Sequence, residues 1–339
     1  MSQNQFLETY SKFLQKFLKP RKPLKVVFDC SDGVAGLVLK KIKSHQNSKF
    51  IILNSNPDGN FPAHGPNPSK PGAVKQLQAA VKKHKADLGI IFDADGDRML
   101  CVDDKGRFVD PEASARLLIW HLKPKKIIVD ASTGWLVKRG IMNNELRIKN
   151  KKLLPVIHNS KFIIHESKVG QYFIKQKMRA ENADFGAERS GHYYFRKFFG
   201  LDSGILAAIE VINAVSELPY KFSDFVDLLP KYFRKETEVS LKRIKPVLLL
   251  KKIEKKYLLL NTKYLIRTSH LDGLTMEFAP SPLEDCEANR FGEKLSSKGE
   301  GWWFNLRFSQ TESLLRLNIE ALTKSKVQKE YSKLKKFIK

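Results

Sequence analysis

The stretch Leu88-Gly-Ile-Ile-Phe92, Asp93-Ala-Asp95-Gly-Asp97-Arg98, Met99-Leu-Cys-Val-Asp103 decides the reading of this 339-residue chain. Two apolar runs of five residues flank a charged hexapeptide with a central glycine. Short apolar runs bounded by turn residues read as buried strands, so this is strand, loop, strand. The loop sets three carboxylates at alternate positions at the end of the first strand.

Strands and helices alternate outward from this point. Toward the N-terminus, Lys25–Cys30 and Phe50–Asn54 read as strands. Ser31–Gly36 reads as a turn opening a helix to about His45, and Ala73–His84 as a helix after a Pro-, Gly- and Asn-rich loop over Asn56–Gly72. Toward the C-terminus come a short strand at Phe108–Val109 and a helix at Glu112–Leu122. The rhythm then returns: strand Lys126–Asp130, helix Trp135–Met142, strand Phe162–His165, helix Gly170–Met178, strands around Phe185–Glu188 and Tyr193–Arg196, helix Gly204–Val215. Similar order and length make this a weak internal repeat. Residues 216–235 read as a linker. Strands at Tyr264–Thr268, Leu274–Phe278, Trp302–Phe308 and Leu315–Glu320, with a basic helix over Thr323–Lys339, make a smaller final unit. The expected fold class is α/β: two similar mixed-sheet α/β domains followed by a smaller α+β domain. The expected boundaries are 1–22 (a leading amphipathic helix built on Phe6, Leu7, Tyr10, Phe13, Leu14, Phe17 and Leu18), 23–122, 123–235 and 236–339.

Composition removes several function classes. Three cysteines with no C-x-x-C pair argue against a disulfide framework or a thiolate zinc site. No apolar run approaches the roughly 18 residues that span a bilayer. The start of the chain is polar and lacks a signal-peptide core, so a cytoplasmic setting is the default expectation. Sixty-one basic residues against 36 acidic ones give a formal charge of +25, made of 46 lysines and 15 arginines. Lysines dispersed along the chain read as a solvated surface rather than as a nucleic-acid reader, which leans on bidentate arginine. That field still attracts small anions.

Three constellations carry chemistry. In the first, Asp93, Asp95 and Asp97 repel one another unless a cation sits between them, and an all-oxygen set suits Mg²⁺, Mn²⁺ or Ca²⁺. An EF-hand is excluded, because its sixth and twelfth positions hold Arg98 and Asp104 in place of Gly and Glu. Arg98 suits a phosphate on such a metal. The plainer alternative is a solvated acidic turn. In the second, Gly186-Ala-Glu188-Arg-Ser190-Gly-His192, Glu188 and Ser190 can bond adjacent sugar hydroxyls and His192 can donate to a phosphate or hydroxyl. Its alternative is a polar hairpin turn, and no nucleophile-elbow frame surrounds it. In the third, Arg307, Ser309, Gln310 and Thr311 follow a strand and suit an anion nest with an arginine clamp. Here the alternative is a helix cap at Ser309 or Thr311. A fourth stretch, Asp58–Pro68, reads as an elaborate rigid loop in which His64 either contacts a ligand or, the preferred reading, has a structural role.

In this order, these stretches resemble the α-D-phosphohexomutase family, which includes phosphomannomutase and phosphoglucomutase, over about residues 8–322. The Asp-Ala-Asp-Gly-Asp-Arg loop is similar to that family's magnesium loop, which implies Mg²⁺ on Asp93, Asp95 and Asp97, with Arg98 catalytic. The Gly186–His192 stretch resembles its sugar-recognition loop, and Arg307–Thr311 its phosphate loop. The resemblance implies interconversion of hexose 1- and 6-phosphates of mannose or glucose. The family's first domain carries a phosphoserine in a Thr-Ala-Ser-His-Asn-Pro type of loop. Nothing in this chain matches it, so the resemblance implies an absent first domain, with residues 1–19 as the helix leading out of it. A separately encoded serine domain is the implied partner. Ser132 stands where the family often has Lys, and Gln171 where a His often follows the Val-Gly step. Gln310 replaces the usual Asn or Gly and Ser313 the usual Pro. These departures define the alternative, a catalytically inactive Mg²⁺-dependent sugar-phosphate-binding protein.

Overall fold

The computed structural model describes residues 3–45, 47–142, 148–149, 152–153, 162–240, 246–261, 264–279, 301–309 and 313–338. Two compact units divide the chain: Met1–Glu166 with Gly170–Pro230, and Ser167–Val169 with Lys231–Lys339.

The first unit opens with α1 (Gln3–Gln15), then β1 (Lys25–Asp29), α2 (Ala35–Leu39), β2 (Lys49–Leu53), α3 (Lys75–His84), β3 (Leu88–Phe92), β4 (Met99–Asp103), β5 (Phe108–Val109) and α4 (Pro111–Leu122). The strands form a sheet in the order β2-β1-β3-β4-β5. β1 runs parallel to both β2 and β3, and β4 is antiparallel to β3. Every residue of β3 and β4 is buried, which explains their unbroken apolar runs. α2 is shorter than the sequence suggests. The backbone of Lys43 instead bonds the Gln15 side chain of α1, its N–H at 2.7 Å and its carbonyl at 3.1 Å.

The rhythm repeats with β6 (Lys126–Asp130), α5 (Trp135–Met142), the small hairpin β7 (Ile148–Lys149) and β8 (Lys152–Leu153), β9 (Ile163–Ser167), α6 (Gln171–Glu181), β10 (Phe185–Ala187), β11 (Tyr193–Phe195), β12 (Leu201–Asp202) and α7 (Gly204–Glu217). The second sheet runs β12-β11-β10-β6-β9, the order of the first sheet read from its other edge. The repeat extends to single bonds. Asp87 accepts from Lys25 N at 2.8 Å, and Asp184 accepts from Lys126 N at 3.1 Å. Lys25 Nζ reaches His84 O at 2.9 Å, and Lys126 Nζ reaches Glu181 O at 2.8 Å. Asp29 and Asp130 each end the first strand of their sheet and accept the N–H two residues on, at 3.0 and 2.6 Å.

One apolar core runs between the sheets. It takes in Leu14, Phe28, Phe92, Leu117, Phe185, Tyr193, Leu206 and Phe225. The outer faces carry smaller clusters, under α3 at Leu77 and Val81 and under α6 at Ile174 and Met178. The helix α7 packs on α4 and on β3 and β4 of the first sheet, so the second repeat's last helix closes the first repeat's core. Residues 216–235 contain the boundary between the units, after Pro230, but are not a bare linker: α8 (Phe222–Leu228) buries Phe222, Phe225 and Leu228. Two prolines and several charges masked an apolar i, i+3, i+6 face.

The second unit is an antiparallel sheet in the order β13-β17-β16-β15-β14, with its helices α9 (Pro246–Asn261) and α10 (Lys324–Ile338). Its strands are β13 (Phe233–Ser240), β14 (Leu265–Ser269), β15 (Leu274–Phe278), β16 (Trp302–Phe308) and β17 (Leu314–Ala321). The expected smaller α+β unit is present. Both β13 and α9 escape a sequence reading, because β13 alternates charges on a half-buried edge and α9 is dense in lysine.

Candidate active site

The acidic loop hangs between the two most deeply buried strands of the first sheet. β3 and β4 pair up to Phe92 opposite Met99, so residues 93–98 must form the connection. Asp93 is 2% exposed and accepts from the Arg98 backbone N–H at 3.1 Å and from the Arg98 guanidinium. One carboxylate oxygen from each of Asp93, Asp95 and Asp97 lies within 4.8 Å of the others. Unit charges at such separation cost about 4 kcal/mol per pair near a protein surface. Burial, aided by Asp93 and Asp95 and opposed by His192, pushes the Asp97 carboxyl up to about 6. Asp97 Oδ1 is buried without a hydrogen-bond partner. A crowded set of oxygens, one of them orphaned, is what a hard divalent cation satisfies, so the residues present fit Mg²⁺.

The second loop is a hairpin between β10 and β11. Glu188 N donates to His192 O at 2.9 Å and Gly191 N to Glu188 O at 3.1 Å. Gly191 has φ +95°, a conformation that favours glycine. Ser190 is exposed at the tip. Glu188 is 5% exposed; its Oε1 accepts from Gly170 N at 3.0 Å and its Oε2 from Tyr194 OH at 2.5 Å. Burial and the neighbouring Asp130 raise its pKa, against the Tyr194 hydroxyl, His192 and the Gly170 N–H. A carboxylate offers about four acceptor positions. Two remain for ligand hydroxyls.

These loops, separated by some ninety residues of sequence, meet. Arg98 and His192 form an antiparallel β-bridge, and Met99 N donates to Gly191 O at 3.0 Å. Gly204 N, at the start of α7, donates to Gly96 O at 3.1 Å. A Cβ at residue 204 would stand 2.5 Å from Arg98 O, so only glycine permits this approach. His192 Nδ1 lies 3.6 Å from Asp97 Oδ1 and 3.1 Å from Asp202 Oδ2. Burial opposes protonation of His192, but Asp202 and Asp97 outweigh it and raise its pKa. Gln171 Nε2 donates to Asp97 Oδ2 at 2.7 Å, and Lys175 Nζ sits 2.8 Å from Asp202 Oδ1. Asp202 therefore holds its pKa below the ordinary value despite burial, through His192 and Lys175. Sequence reading singles out neither Asp202 nor Lys175. The first sits in an unremarkable Gly-Leu-Asp-Ser-Gly turn and the second in a lysine-rich helix.

The fourth stretch also reaches this place. His64 Nε2 lies 3.1 Å from both oxygens of the buried Asp29, which anchors the loop. Asn67 Oδ1 accepts from Arg98 Nη1 at 3.4 Å.

In the second unit, Arg307 lies on β16 directly opposite Arg316 of β17. Like charges facing each other across strands destabilise a sheet unless compensated. Glu238, 3.0 Å from Arg316 Nε, supplies part of that compensation. Ser309 N donates to Leu314 O at 2.9 Å and the chain returns as a strand, so Ser309 closes a hairpin and does not cap a helix. Gln310 and Thr311 lie outside the described residues.

The comparisons with known proteins agree with this architecture. Residues 4–106 match the profile of the phosphoglucomutase/phosphomannomutase alpha/beta/alpha domain II, and residues 148–232 that of domain III. A phosphomannomutase of Methanocaldococcus jannaschii is 29% identical over 333 residues, covering 98% of this chain and 65% of the relative. The phosphomannomutase of Escherichia coli is 31% identical over 313 residues, 90% of this chain and 60% of the relative. Among solved structures, a phosphoglucomutase/phosphomannomutase family protein of Burkholderia thailandensis superposes with a TM-score of 0.74 at 22% identity, covering 98% of this chain and 64% of that one. N-acetylphosphoglucosamine mutase of Aspergillus fumigatus, solved with GlcNAc-6P and magnesium, gives 0.61 at 14% identity, covering 98% and 65%. The chain belongs to the phosphohexomutase family. It spans about three fifths of the length of the curated relatives it matches. Among the described residues, no helix is long and apolar enough to cross a membrane.

Proposed function

We propose that this chain supplies the metal-binding, sugar-binding and phosphate-binding parts of a phosphohexomutase reaction, the interconversion of hexose 1- and 6-phosphates. The observation that carries this reading is the β-bridge joining the three-aspartate loop to the Glu188–His192 hairpin. It sets an acidic cation cradle beside sugar-hydroxyl acceptors.

Asp93, Asp95 and Asp97 would hold Mg²⁺, which neutralises phosphoryl charge when bound. The Aspergillus mutase was solved with both magnesium and a hexosamine phosphate, which supports that choice of ion and ligand class. Glu188 accepts hydrogen bonds from the sugar hydroxyls and Ser190 contributes a hydroxyl at the tip. His192, kept basic by Asp202 and Asp97, takes or returns the hydroxyl proton. Arg98 steadies Asp93 and offers its guanidinium edge to phosphate. Arg307, Ser309, Gln310 and Thr311 are the phosphate-binding candidates carried by the second unit. Transfer itself also needs a phosphoserine, which none of the residues above provides.

A second reading, binding without turnover, is favoured by Gln171. Its amide is tied to Asp97 and cannot carry a proton. One experiment separates the two. Glucose 1-phosphate and mannose 1-phosphate are offered with Mg²⁺, with and without a separately expressed serine domain of a relative. Turnover only in the mixture supports the mutase reading. Calorimetric binding with no turnover in any mixture supports the second, and no binding at all removes both.

A further inference from the structure

Asp97, His192 and Asp202 form a second set of ligand atoms, distinct in chemistry from the acidic triplet although it shares Asp97. The two carboxylates are handled alike. α6 takes the far oxygen of each: Gln171 Nε2 donates to Asp97 Oδ2 at 2.7 Å, and Lys175 Nζ lies 2.8 Å from Asp202 Oδ1. The near oxygens, Asp97 Oδ1 and Asp202 Oδ2, are buried and lack a hydrogen-bond partner. Both face His192 Nδ1, at 3.6 and 3.1 Å. Asp202 Oδ2 is within ion-pairing distance of that nitrogen. The Asp202 side chain is only 5% exposed and that of His192 12%.

Two buried carboxylate oxygens thus converge on one imidazole nitrogen, whose charge compensates them when it is protonated. Their spacing also suits a metal ion. Ligands 2.0–2.2 Å from a tetrahedral ion stand about 3.3–3.6 Å apart. The two measured separations bracket that range, and the third pair lies within 4.8 Å. The outer bonds from Gln171 and Lys175 orient the carboxylates, as the second shell of a metal site does. We propose that Asp97, His192 and Asp202 bind a borderline first-row divalent ion, of which Zn²⁺ is the type, leaving one position open to water or a ligand oxygen.

An imidazole ligand favours Zn²⁺ over Mg²⁺, whereas the all-aspartate loop favours Mg²⁺. Because Asp97 belongs to both sets, the two ions compete. Zn²⁺ in this site also occupies the imidazole nitrogen that faces Asp97. The inference stands apart from the mutase reading, since every readout uses metal alone.

The test is a chelator-buffered Zn²⁺ titration of the whole chain as wild type, Asp202→Asn and Asp95→Asn, with circular dichroism as the fold control. Asp202→Asn is expected to weaken Zn²⁺ binding by about tenfold or more while keeping the Mg²⁺-dependent shift in melting temperature. Asp95→Asn is expected to do the reverse. Equal Zn²⁺ affinity in wild type and Asp202→Asn overturns the proposal, as does a Zn²⁺ loss confined to Asp95→Asn. Should Asp202→Asn not fold, Co²⁺ substitution in the wild type decides. Intense visible bands of a four-coordinate nitrogen-ligated ion support the site, and the faint spectrum of six-coordinate oxygen ligation overturns it.

Discussion

The two halves of the first unit use one topology for two chemistries. In each, the loop after the third strand returns antiparallel to it: residues 93–98 between β3 and β4, and 188–192 between β10 and β11. In the first repeat the loop is a concentration of negative charge. In the second it offers a carboxylate, a hydroxyl and an imidazole. Several bonds of the frames beneath them recur, among them Asp87 and Asp184 accepting from the backbone of Lys25 and Lys126. The residue types diverge in the loops while the frame recurs, and the loops meet through the Arg98–His192 bridge and the Gly204–Gly96 hydrogen bond. Chemistry that neither repeat holds alone arises at their junction.

That comparison breaks most severely at the junction. Gly204→Val places side-chain atoms against Arg98 O and Gly96 O, and is expected to cost at least about 3 kcal/mol or prevent folding, read by urea denaturation. A variant as stable as the wild type would mean that the loops do not depend on this close approach.

The division of labour comes next. Asp95→Asn is expected to abolish a Mg²⁺ stabilisation worth about 2.7 kcal/mol when the ion is a hundredfold above its dissociation constant, while leaving hexose phosphate contacts in the hairpin. Glu188→Ala is expected to lower hexose phosphate affinity about tenfold, about 1.4 kcal/mol, with the Mg²⁺ shift in melting temperature retained. Equal damage to both ligands by either change would dissolve the comparison.

The helices joining the repeats carry a titrating clamp. His121 of α4 lies 3.1 Å from Glu210 and 3.1 Å from Glu217, both on α7, and Lys197 also bonds Glu210. Burial opposes the charge on His121, but the two glutamates raise its pKa above the ordinary 6.5. Burial likewise opposes the Glu210 charge, yet His121 and Lys197 bring its pKa below 4.5. The histidine contribution is complete below pH 6.5 and fades as pH rises through the raised value. The glutamate contribution is complete above pH 4.5 and fades as pH falls through the lowered value. The clamp's own contribution to stability should therefore plateau between those limits. His121→Ala should cost about 2 kcal/mol and shrink the alkaline fall, to which His192 also contributes. An alkaline limb of undiminished size in this variant would assign it to other groups.

The smallest effect is Tyr194→Phe, about 1 kcal/mol of stability. It removes a donor that lowers the pKa of Glu188, so hexose phosphate binding should fail at a higher pH than in the wild type, by calorimetry across a pH series. An unchanged profile would separate Glu188 ionisation from binding.

Much of this was legible in the residues, and the boundaries of β3, β4, β5 and β6 coincide with the sequence reading. β3, β4 and β6 are runs of mostly buried apolar residues closed by charge, where local composition and tertiary environment agree. The acidic loop and the hairpin were visible for the same reason: polar groups packed densely beside apolar strands have few structural uses. α8, β13 and α9 were hidden, because lysines and prolines on exposed faces dilute the periodicity of half-buried elements.

By itself the sequence determined the α/β rhythm, the inner repeat and the polar residues of each loop, since these depend on neighbours within a few positions along the chain. Only tertiary structure set His192 against Asp97 and Asp202, put Gln171 and Lys175 behind them, and made Gly204 indispensable. Those pairings join segments separated by tens of residues. Their distances follow from how α7 packs across the first sheet, a long-range consequence of core burial that no local pattern encodes.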